Sequence, residues 1–229
     1  TQSRLQVFVC ELRSELSPNT ARDVYRLLKA LLRAAKDRGL IRNEPWSGVR
    51  SRGGQLNAQP RVLDLQEQQR FEQLCRARNM PEFLLALYTG LRIGELAALR
   101  VQDVDCEAGM LHVCHAAHRV QKSGEQGQKT HLVLGEPKNH ASQRDVPLPA
   151  FLVDILRQQI RDMPKDAFLF PGRQGEMIDP RTLQARMKRI TGELELQGVH
   201  CHTLRHTYAT RCLEQKIGIE VLAELLGHS

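Results

Sequence analysis

Apolar side chains recur every three or four positions along most of the chain, which predicts helices, and only the middle departs from this spacing. Two amphipathic helices are predicted first, across Leu5–Leu16 and Val24–Ala35, because Ser17-Pro18-Asn19 breaks the pattern and supplies caps. Gly39 and Pro45 end the second helix. The polar face of that helix is basic and carries Arg22, Arg26, Lys29, Arg33 and Lys36.

The longer second part of the chain predicts further helices on either side of a small sheet. Short alternating apolar stretches, punctuated by Gly and Pro, lie between Val101 and Leu148 and are typical of strands. The sequence has no βαβ rhythm, so the predicted fold class is mostly α with a small antiparallel β-sheet (α+β). The helices are predicted at Leu63–Arg78, Pro81–Tyr88, Arg92–Leu99, Pro149–Asp162, Asp179–Thr191, His202–Glu214 and Ile219–Leu226.

Charge is distributed unevenly along the chain. The formal net charge is +7, and residues 1–57 hold 11 Lys and Arg against 5 Asp and Glu, whereas residues 58–229 hold 22 against 21. A stretch rich in Gly, Ser, Gln and Arg between these parts is typical of a linker. We therefore expect a basic helical domain at 1–50, a linker at 51–61 and a larger domain at 62–229. This asymmetry favours a polyanionic partner, most often nucleic acid.

Composition excludes several classes of protein. With 41% hydrophobic and 26% charged residues, the chain has the composition of a folded globular protein. No apolar run approaches the roughly 20 residues of a membrane-spanning helix, and Thr1–Cys10 does not resemble a signal peptide. The six cysteines form no CxxC pair and are too sparse for a disulfide scaffold. We therefore expect a cytoplasmic protein with reduced thiols and no membrane association.

A group of cysteines and histidines in the strand region raises the question of a zinc site. Its spacing matches no standard set of zinc ligands, and strand alternation sends neighbouring members to opposite faces. We therefore predict no metal there. The group comprises Cys106, His112, Cys114, His115 and His118.

Two segments place an arginine beside a second functional side chain on a helix. Arg92 and Glu95 are three residues apart at a helix start, where an arginine held by a carboxylate is suited to bind a phosphate. His202 and Arg205 share a helix face, and an arginine beside a proton-moving histidine also suits phosphate chemistry. The plainer interpretations are an exposed salt bridge for the first pair and a solvated helix start for the second.

Two further segments contain a polar side chain at a structural boundary. Lys138 lies in a polar turn before the strand-like stretch 144–148, from which a lysine can reach a neighbouring cleft or simply solubilise a sheet edge. His228 follows Gly227, a natural helix C-cap, where the helix dipole favours a cation. Simple capping would explain that last segment equally well.

Considered together and in order, these segments resemble those of the tyrosine recombinases, also called phage integrases. The matching segments are TGLRIGEL around Arg92, the lysine before SQRDVPL, HTLRHTYAT around Arg205, and LLGHS at the end. The resemblance extends from Ser17 to Ser229 and is specific, because four separated segments match in order. It implies that residues 1–50 are part of a helical core-binding domain that clamps DNA, and that 62–229 are a catalytic domain.

The resemblance implies a catalytic role for several of these side chains. Arg92 and Arg205 would hold the non-bridging oxygens of the scissile phosphate, and Glu95 would orient Arg92. His202 would move a proton to or from the nucleophile, and His228 would donate a hydrogen bond to the phosphate. Such cationic and imidazole groups stabilise a pentavalent phosphate without a metal ion, so no metal or other cofactor is expected.

The general acid has more than one candidate in the sequence. Lys138 would protonate the leaving 5′ oxygen, because it stands at the family's distance from SQRDVPL. The polar stretch before it contains two alternatives, Lys122 and Lys129. We expect Lys138 to be the acid.

The family's nucleophile is a tyrosine a short distance beyond the LGH segment. The three tyrosines of this sequence, Tyr25, Tyr88 and Tyr208, do not match that position, and Tyr208 is expected to pack within its helix. The catalytic domain as printed thus lacks its C-terminal tyrosine segment, and we expect it to set up the phosphate without forming a covalent link. The family's core-binding domain also usually has more helices than the two predicted before Pro45.

The resemblance implies a site-specific recombinase that cleaves and rejoins DNA through a 3′-phosphotyrosyl intermediate and integrates or excises a mobile element. Its partners would be duplex DNA with specific recombination sites, three further copies in a homotetramer, and accessory DNA-bending or directionality factors. The source would be a bacterium or a phage. Two alternatives stay open: a type IB topoisomerase-like enzyme, and a catalytically incomplete DNA-binding module derived from a recombinase.

Overall fold

The structure is a computed structural model that describes residues 1–50, 60–121, 130–135 and 143–227. The chain divides into two compact units, Thr1–Gln59 and Pro60–Ser229. The second unit holds the larger hydrophobic core. Helices predominate, and the strands form small antiparallel sheets, so the predicted fold class is confirmed.

The first unit contains two helices, α1 (Gln2–Glu15) and α2 (Pro18–Asp37). The side-chain oxygen of Ser17 accepts from the backbone N–H of Thr20 at 3.3 Å, and Pro18 occupies the first turn, where it loses no helical hydrogen bond. The small core is made by Leu5, Val9, Tyr25 and Trp46.

The apolar stripe of α2 is wider than the face that this unit buries. Leu28 and Leu32 pack against the small core, whereas Leu27 is 64% exposed and Leu31 is 61% exposed. Helical spacing alone treats these leucines as equivalent, because it does not specify how much partner surface is present.

In the second unit every predicted helix is present, and the ends differ from the predicted ones by at most two residues. Helix α4 lies at the centre, where almost all of its side chains are buried. The carboxylate of Asp64 accepts from the backbone N–H of Glu67 at 2.8 Å and starts α3. The helices are α3 (Leu65–Ala77), α4 (Pro81–Thr89), α5 (Ile93–Ala98), α6 (Ala150–Ile160), α7 (Pro180–Glu193), α8 (Cys201–Glu214) and α9 (Ile219–Leu226).

The predicted single sheet is two sheets in the described residues. Strands β1 (Val104–Asp105), β2 (Met110–Val113) and β5 (Arg144–Pro147) form an antiparallel sheet in the order β1-β2-β5. Strands β3 (Ala116–Gln121) and β4 (Thr130–Gly135) pair separately and antiparallel.

The sequence pattern also predicts Val101 in the strand region, and this prediction is wrong. Val101–Asp103 is a 3₁₀ turn, because the Asp103 carboxylate accepts from the backbone N–H of Arg100 at 2.8 Å. In addition, the backbone N–H of Val101 donates to the carbonyl of Ala167 at 2.9 Å, beside an isolated antiparallel bridge between Arg100 and Phe168. Across the described part of the chain, no helix is long and apolar enough to cross a membrane.

Candidate functional site

Arg92 lies at the junction of α4 and α5. Helix α4 ends at Thr89, and Gly90 adopts a left-handed conformation with φ of +63°. A Cβ atom at Gly90 would come within 2.6 Å of the Tyr208 ring, so both the turn and the packing require glycine. This tight turn delivers Arg92 to the first position before α5.

Glu95 contacts Arg92 as their spacing predicts. The Glu95 carboxylate accepts from the backbone N–H of Arg92 at 2.9 Å and from its Nη1 at 2.8 Å. The carboxylate is 2% exposed, whereas the Arg92 side chain is 39% exposed. The guanidinium is therefore anchored at its inner side and open to solvent at its outer side.

The same carboxylate has a second and deeper partner, Arg144 at the start of β5. The two Glu95 oxygens accept from Arg144 Nη2 at 2.9 Å and from Nη1 at 3.2 Å. Burial acts to raise the pKa of Glu95, but the hydrogen bonds and charge of Arg144, with the hydrogen bonds from Arg92, outweigh it, so this pKa lies below its ordinary value. Glu95 is thus ionised at neutral pH despite its burial.

Arg205 is buried within α8 and reaches both ends of this site. Its Nη1 donates to the Gly90 carbonyl at 2.7 Å, and its Nη2 donates to the Leu226 carbonyl at 2.6 Å. Burial, followed by the positive charge of Arg92, lowers the pKa of Arg205 to about 10. The side chain therefore remains charged at neutral pH, although two guanidinium groups stand near each other.

All three arginines donate hydrogen bonds to the C-terminal end of α9. The carbonyl oxygens of Leu225, Leu226 and Gly227 accept from three different guanidinium groups. Their donors are Arg144 Nε at 2.7 Å, Arg205 Nη2 at 2.6 Å and Arg92 Nη2 at 3.2 Å. These carbonyls are the negative end of the helix dipole, so the contacts are electrostatically favourable. We call Arg92, Arg144 and Arg205, with Glu95 and these carbonyls, the arginine cluster.

His202 stands on the first turn of α8, one turn before Arg205. Its ring meets the ring of His206 edge-on, with centroids 4.5 Å apart. Burial, followed by the charges of His206 and Arg205, lowers the pKa of His202, so the neutral imidazole dominates at pH 7. A groove of about 510 Å³ opens beside it, lined in part by Leu91, Ile93, Gln184, Lys188, His200 and His202.

Comparison with known proteins identifies the family. The model of the "Phage integrase family" matches residues 60–229, which include the whole arginine cluster. The chain belongs to this family of tyrosine recombinases. The interval matched by the family model is the same as the second compact unit.

Relatives of the integrase family are similar over nearly the whole chain. Tyrosine recombinase XerC from Pseudomonas putida (strain W619) is 30% identical over 220 residues, which cover 92% of this chain and 67% of that protein. XerC from Azotobacter vinelandii is 31% identical, with coverage of 95% and 69%. A XerC-like tyrosine recombinase from Caldanaerobacter subterraneus is 26% identical, with coverage of 93% and 60%. The chain thus spans about three fifths to two thirds of the length of these relatives.

Two solved structures show the same fold. The Tn1549 transposon integrase in complex with a circular intermediate DNA has a TM-score of 0.85 at 21% identity, covering 100% of this chain and 78% of that one. A lambda integrase dimer bound to a COC′ core site has a TM-score of 0.69 at 17% identity, covering 100% and 61%.

The structure brings four of the predicted site residues together. Arg92, Glu95 and Arg205 belong to one hydrogen-bonded cluster, and His202 lies a helical turn from Arg205. Lys138 and His228 fall outside the described residues, as do the alternatives Lys122 and Lys129. Among the described residues no three His, Cys, Asp or Glu side chains are grouped to hold a metal ion.

Each of the three tyrosines is packed against or hydrogen-bonded to neighbouring residues. Tyr25 is buried in the first unit, and the Tyr88 hydroxyl donates to Glu72 at 2.8 Å. Tyr208 packs beside Gly90 and against the cluster around Cys212, and burial raises its pKa further above its ordinary value. A tyrosine nucleophile must lose its proton, and burial opposes that loss at Tyr208.

The basic face of α2 belongs to the first unit and is partly or fully exposed along its length. The Arg26 side chain is 81% exposed and lies 3.5 Å from Asp23, and Lys36 contacts Glu44. Exposed ion pairs of this kind contribute little to the stability of the folded protein, and they leave the cations accessible to a polyanion. The face comprises Arg22, Arg26, Lys29, Arg33 and Lys36.

Arg144 is a site residue that we do not predict from the sequence. A signal for its burial was present, because β5 alternates and Arg144 has the same parity as Val146, which is fully buried. A polar turn followed by an edge-like strand, as the sequence predicts here, does not call for an inward-pointing arginine. Its carboxylate partner lies 49 residues away in sequence, beyond the reach of any local pattern.

Proposed function

We propose that this chain carries the phosphate-activating part of a site-specific recombinase that cleaves and rejoins DNA through a 3′-phosphotyrosyl intermediate. The observation that carries the proposal is the convergence of Arg92 and Arg205. They come from different helices, donate to adjacent carbonyls at the end of α9, and stand close enough for one charge to lower the pKa of the other. A phosphate bound between them would relieve this repulsion and accept hydrogen bonds from both.

The proposed chemistry is a transesterification with a tyrosine as nucleophile. The tyrosine oxygen would attack phosphorus and form a P–O bond while the bond to the 5′ oxygen breaks. Neutral His202 would take the tyrosine proton, and Lys138 would give a proton to the 5′ oxygen. Arg92, Arg205 and His228 would stabilise the negative charge on the non-bridging oxygens.

We propose duplex DNA as the partner. The basic face of α2 would contact backbone phosphates and contribute little sequence readout. The Tn1549 and lambda integrases in the similar structures are bound to DNA, which supports this partner. A homotetramer on two recombination sites, accessory bending or directionality factors, and a role in moving a mobile element belong to the same proposal.

The test uses the complete open reading frame that contains this chain. A binding site is first selected from a random duplex pool, and a nicked suicide version of that site traps the covalent intermediate. We expect a protein–DNA adduct that survives denaturation and is removed by protease. A protein that contains the expected tyrosine and binds the site but forms no adduct would overturn the proposal.

The same assay separates the two alternatives. A DNA-binding module would bind the selected site with no adduct under any condition. A type IB topoisomerase-like enzyme would form the adduct and relax supercoils, but would not exchange strands between two sites.

A further inference from the structure

One arginine that we have given no part in the proposed chemistry, Arg144, connects three pieces of the site. Its guanidinium is 3% exposed and contacts both oxygens of the Glu95 carboxylate. Its Nε donates in another direction, to the Leu225 carbonyl at 2.7 Å. A single side chain thus connects the edge of a sheet, the start of α5 and the end of α9.

This arrangement uses features that arginine has and lysine lacks. A planar guanidinium can present two N–H groups to one carboxylate while the Nε–H points elsewhere, whereas an ammonium is a single point charge. The end of α9 also lies directly on this group. A Cβ atom at Gly227 would come within 3.0 Å of Arg144 Nη1, and Gly227 has a left-handed φ of +64°.

Loss of Arg144 would act on Arg92 through the carboxylate that they share. Arg144 and Arg92 both donate to Glu95. The negative charge of this one carboxylate is therefore shared between the two guanidinium groups. Without Arg144 the buried carboxylate would have to draw Arg92 inward or take up a proton. Either change would reorient the guanidinium that is proposed to face the phosphate.

Loss of Arg144 would also act on the end of α9. The Leu225 carbonyl would lose its guanidinium donor, two residues before Gly227. Gly227 itself accepts from Arg92 and is followed directly in sequence by His228. The two effects therefore meet at the same phosphate site.

We infer that Arg144 is a positioning residue for the proposed cleavage reaction: it sets Arg92 through Glu95 and seats the end of α9. This inference rests on the proposed function. Arg144 need not touch DNA, because its side chain is buried and only 3% exposed. Its removal should therefore slow the chemical step without weakening DNA binding.

The experiment compares Arg144→Lys and Arg144→Met with the unsubstituted full-length protein on the nicked suicide substrate. Adduct formation is measured as a single-turnover rate at saturating protein, and the dissociation constant is measured on the same DNA. Both measurements are made well below the melting temperatures of the unsubstituted protein and its variants. We expect Arg144→Lys to lower the saturating rate by roughly 100-fold, the effect of a displacement near 1 Å, with an unchanged dissociation constant. Arg144→Met should be slower still, and Arg144→Lys keeps the test valid if Arg144→Met does not fold.

The matched control is Arg186→Met. Arg186 on α7 donates to the buried carboxylate of Glu82 at 3.2 Å, so its loss also removes a cation from a buried acid in the same unit. Arg186→Met should lower the melting temperature but leave the saturating adduct rate unchanged. This readout separates positioning from a general loss of stability.

Four results would overturn the inference. A saturating rate for Arg144→Lys equal to that of the unsubstituted protein would remove the positioning role. Equal slowing in Arg186→Met, or a parallel loss of DNA binding in Arg144→Lys, would make Arg144 merely structural. If the unsubstituted protein itself formed no adduct on its bound site, the proposed function would fail and this inference with it.

Discussion

The arginine cluster and the basic face of α2 use the same type of side chain in opposite surroundings. In the cluster, Arg144 and Arg205 are buried and held by one carboxylate and a set of carbonyls. On α2, Arg26 and its neighbours extend into solvent with only weak surface pairs. Burial fixes the direction of each N–H group in the cluster. The exposed side chains of α2 have no fixed direction and can act only through their charge.

The comparison shows why net charge locates one of these regions and not the other. The first 57 residues have a clear excess of Lys and Arg, but the remainder is almost balanced. The arginine cluster contains only three cations, and their hydrogen-bond partners distinguish them from other arginines. A count of charged residues therefore does not reveal the cluster. We therefore expect substitutions in the cluster to change reaction rate, and substitutions on α2 to change affinity and its salt dependence.

The largest expected effect belongs to Arg205→Ala. Adduct formation on the suicide substrate should fall by about 10³-fold, because a preorganised donor to the transition state is lost. Binding of the intact site should change only a few-fold, since affinity is spread over many phosphate contacts.

The control for this prediction is Arg157→Ala, on the exposed side of α6, which should form the adduct at the normal rate. Arg205→Lys provides a variant that keeps the charge. If cleavage and binding disappeared together in a folded Arg205 variant, the assigned role would be wrong.

The next effect tests the general acid. Lys138→Ala should slow adduct formation by about 10²–10⁴-fold, the usual contribution of general acid catalysis. A substrate with sulfur at the 5′-bridging position should restore the rate, because a thiolate leaves without a proton.

Lys122→Ala and Lys129→Ala serve as comparisons. Both variants should form the adduct at the normal rate on the ordinary substrate, without sulfur at the 5′-bridging position. If the sulfur substrate rescued Lys129→Ala and not Lys138→Ala, the acid would be reassigned.

A third prediction concerns the turn that supports the cluster. Gly90→Ala should lower the free energy of unfolding by about 1–3 kcal/mol, because the new methyl group overlaps the Tyr208 ring. Gly198→Ala is the matched control, since Gly198 has a similar φ of +69° with no atom within 4 Å of a Cβ. Equal losses in chemical denaturation would show that backbone strain alone, and not packing, makes Gly90 necessary.

A smaller effect should appear in the dependence of stability on pH. Burial is the first cause that lowers the pKa values of His202 and His206 in the folded protein, below the ordinary value of 6.5. The unfolded chain then binds protons first as the pH falls below 6.5, so the folded state loses stability on acidification. Glu95, whose pKa is also lowered, adds a loss at more acidic pH as it becomes protonated.

Chemical denaturation between pH 7.5 and pH 5 checks this sign, with the range chosen around the ordinary histidine value. His206→Asn should flatten the decline, whereas His131→Asn, at an exposed position on β4, should not. Stability that rose on acidification would contradict the proposed neutral histidine pair.

The smallest expected effect belongs to α2. Arg26→Ala should weaken binding to all DNA sequences by a similar small factor and reduce the slope of log affinity against log salt by about 1. Arg13→Ala, on the exposed last turn of α1, should leave the slope unchanged. A change in sequence preference with Arg26→Ala would show that α2 reads bases.

Much of the fold follows from short-range patterns, and particular elements show how far this extends. Helix α3 begins where Asp64 and Glu67 cap each other, and α9 ends at Leu226 before the left-handed Gly227, because these contacts span only a few residues. The strand region was harder: Val101 alternates like a strand residue, but it lies in a 3₁₀ turn at whose start the Asp103 carboxylate accepts from the backbone N–H of Arg100. Likewise, helical spacing cannot distinguish exposed Leu27 from half-buried Leu28.

The amino-acid sequence by itself determined the helices, the charge asymmetry and the order of the segments that identify a phage integrase. Only the tertiary structure decided that Arg144 shares Glu95 with Arg92, and that three arginines meet at the end of α9. The physical reason is distance along the chain: Arg92 and Gly227 are separated by 135 residues, and Arg144 and Leu225 by 81. Contacts of that range depend on the packing of the whole core and leave no periodic trace in the sequence.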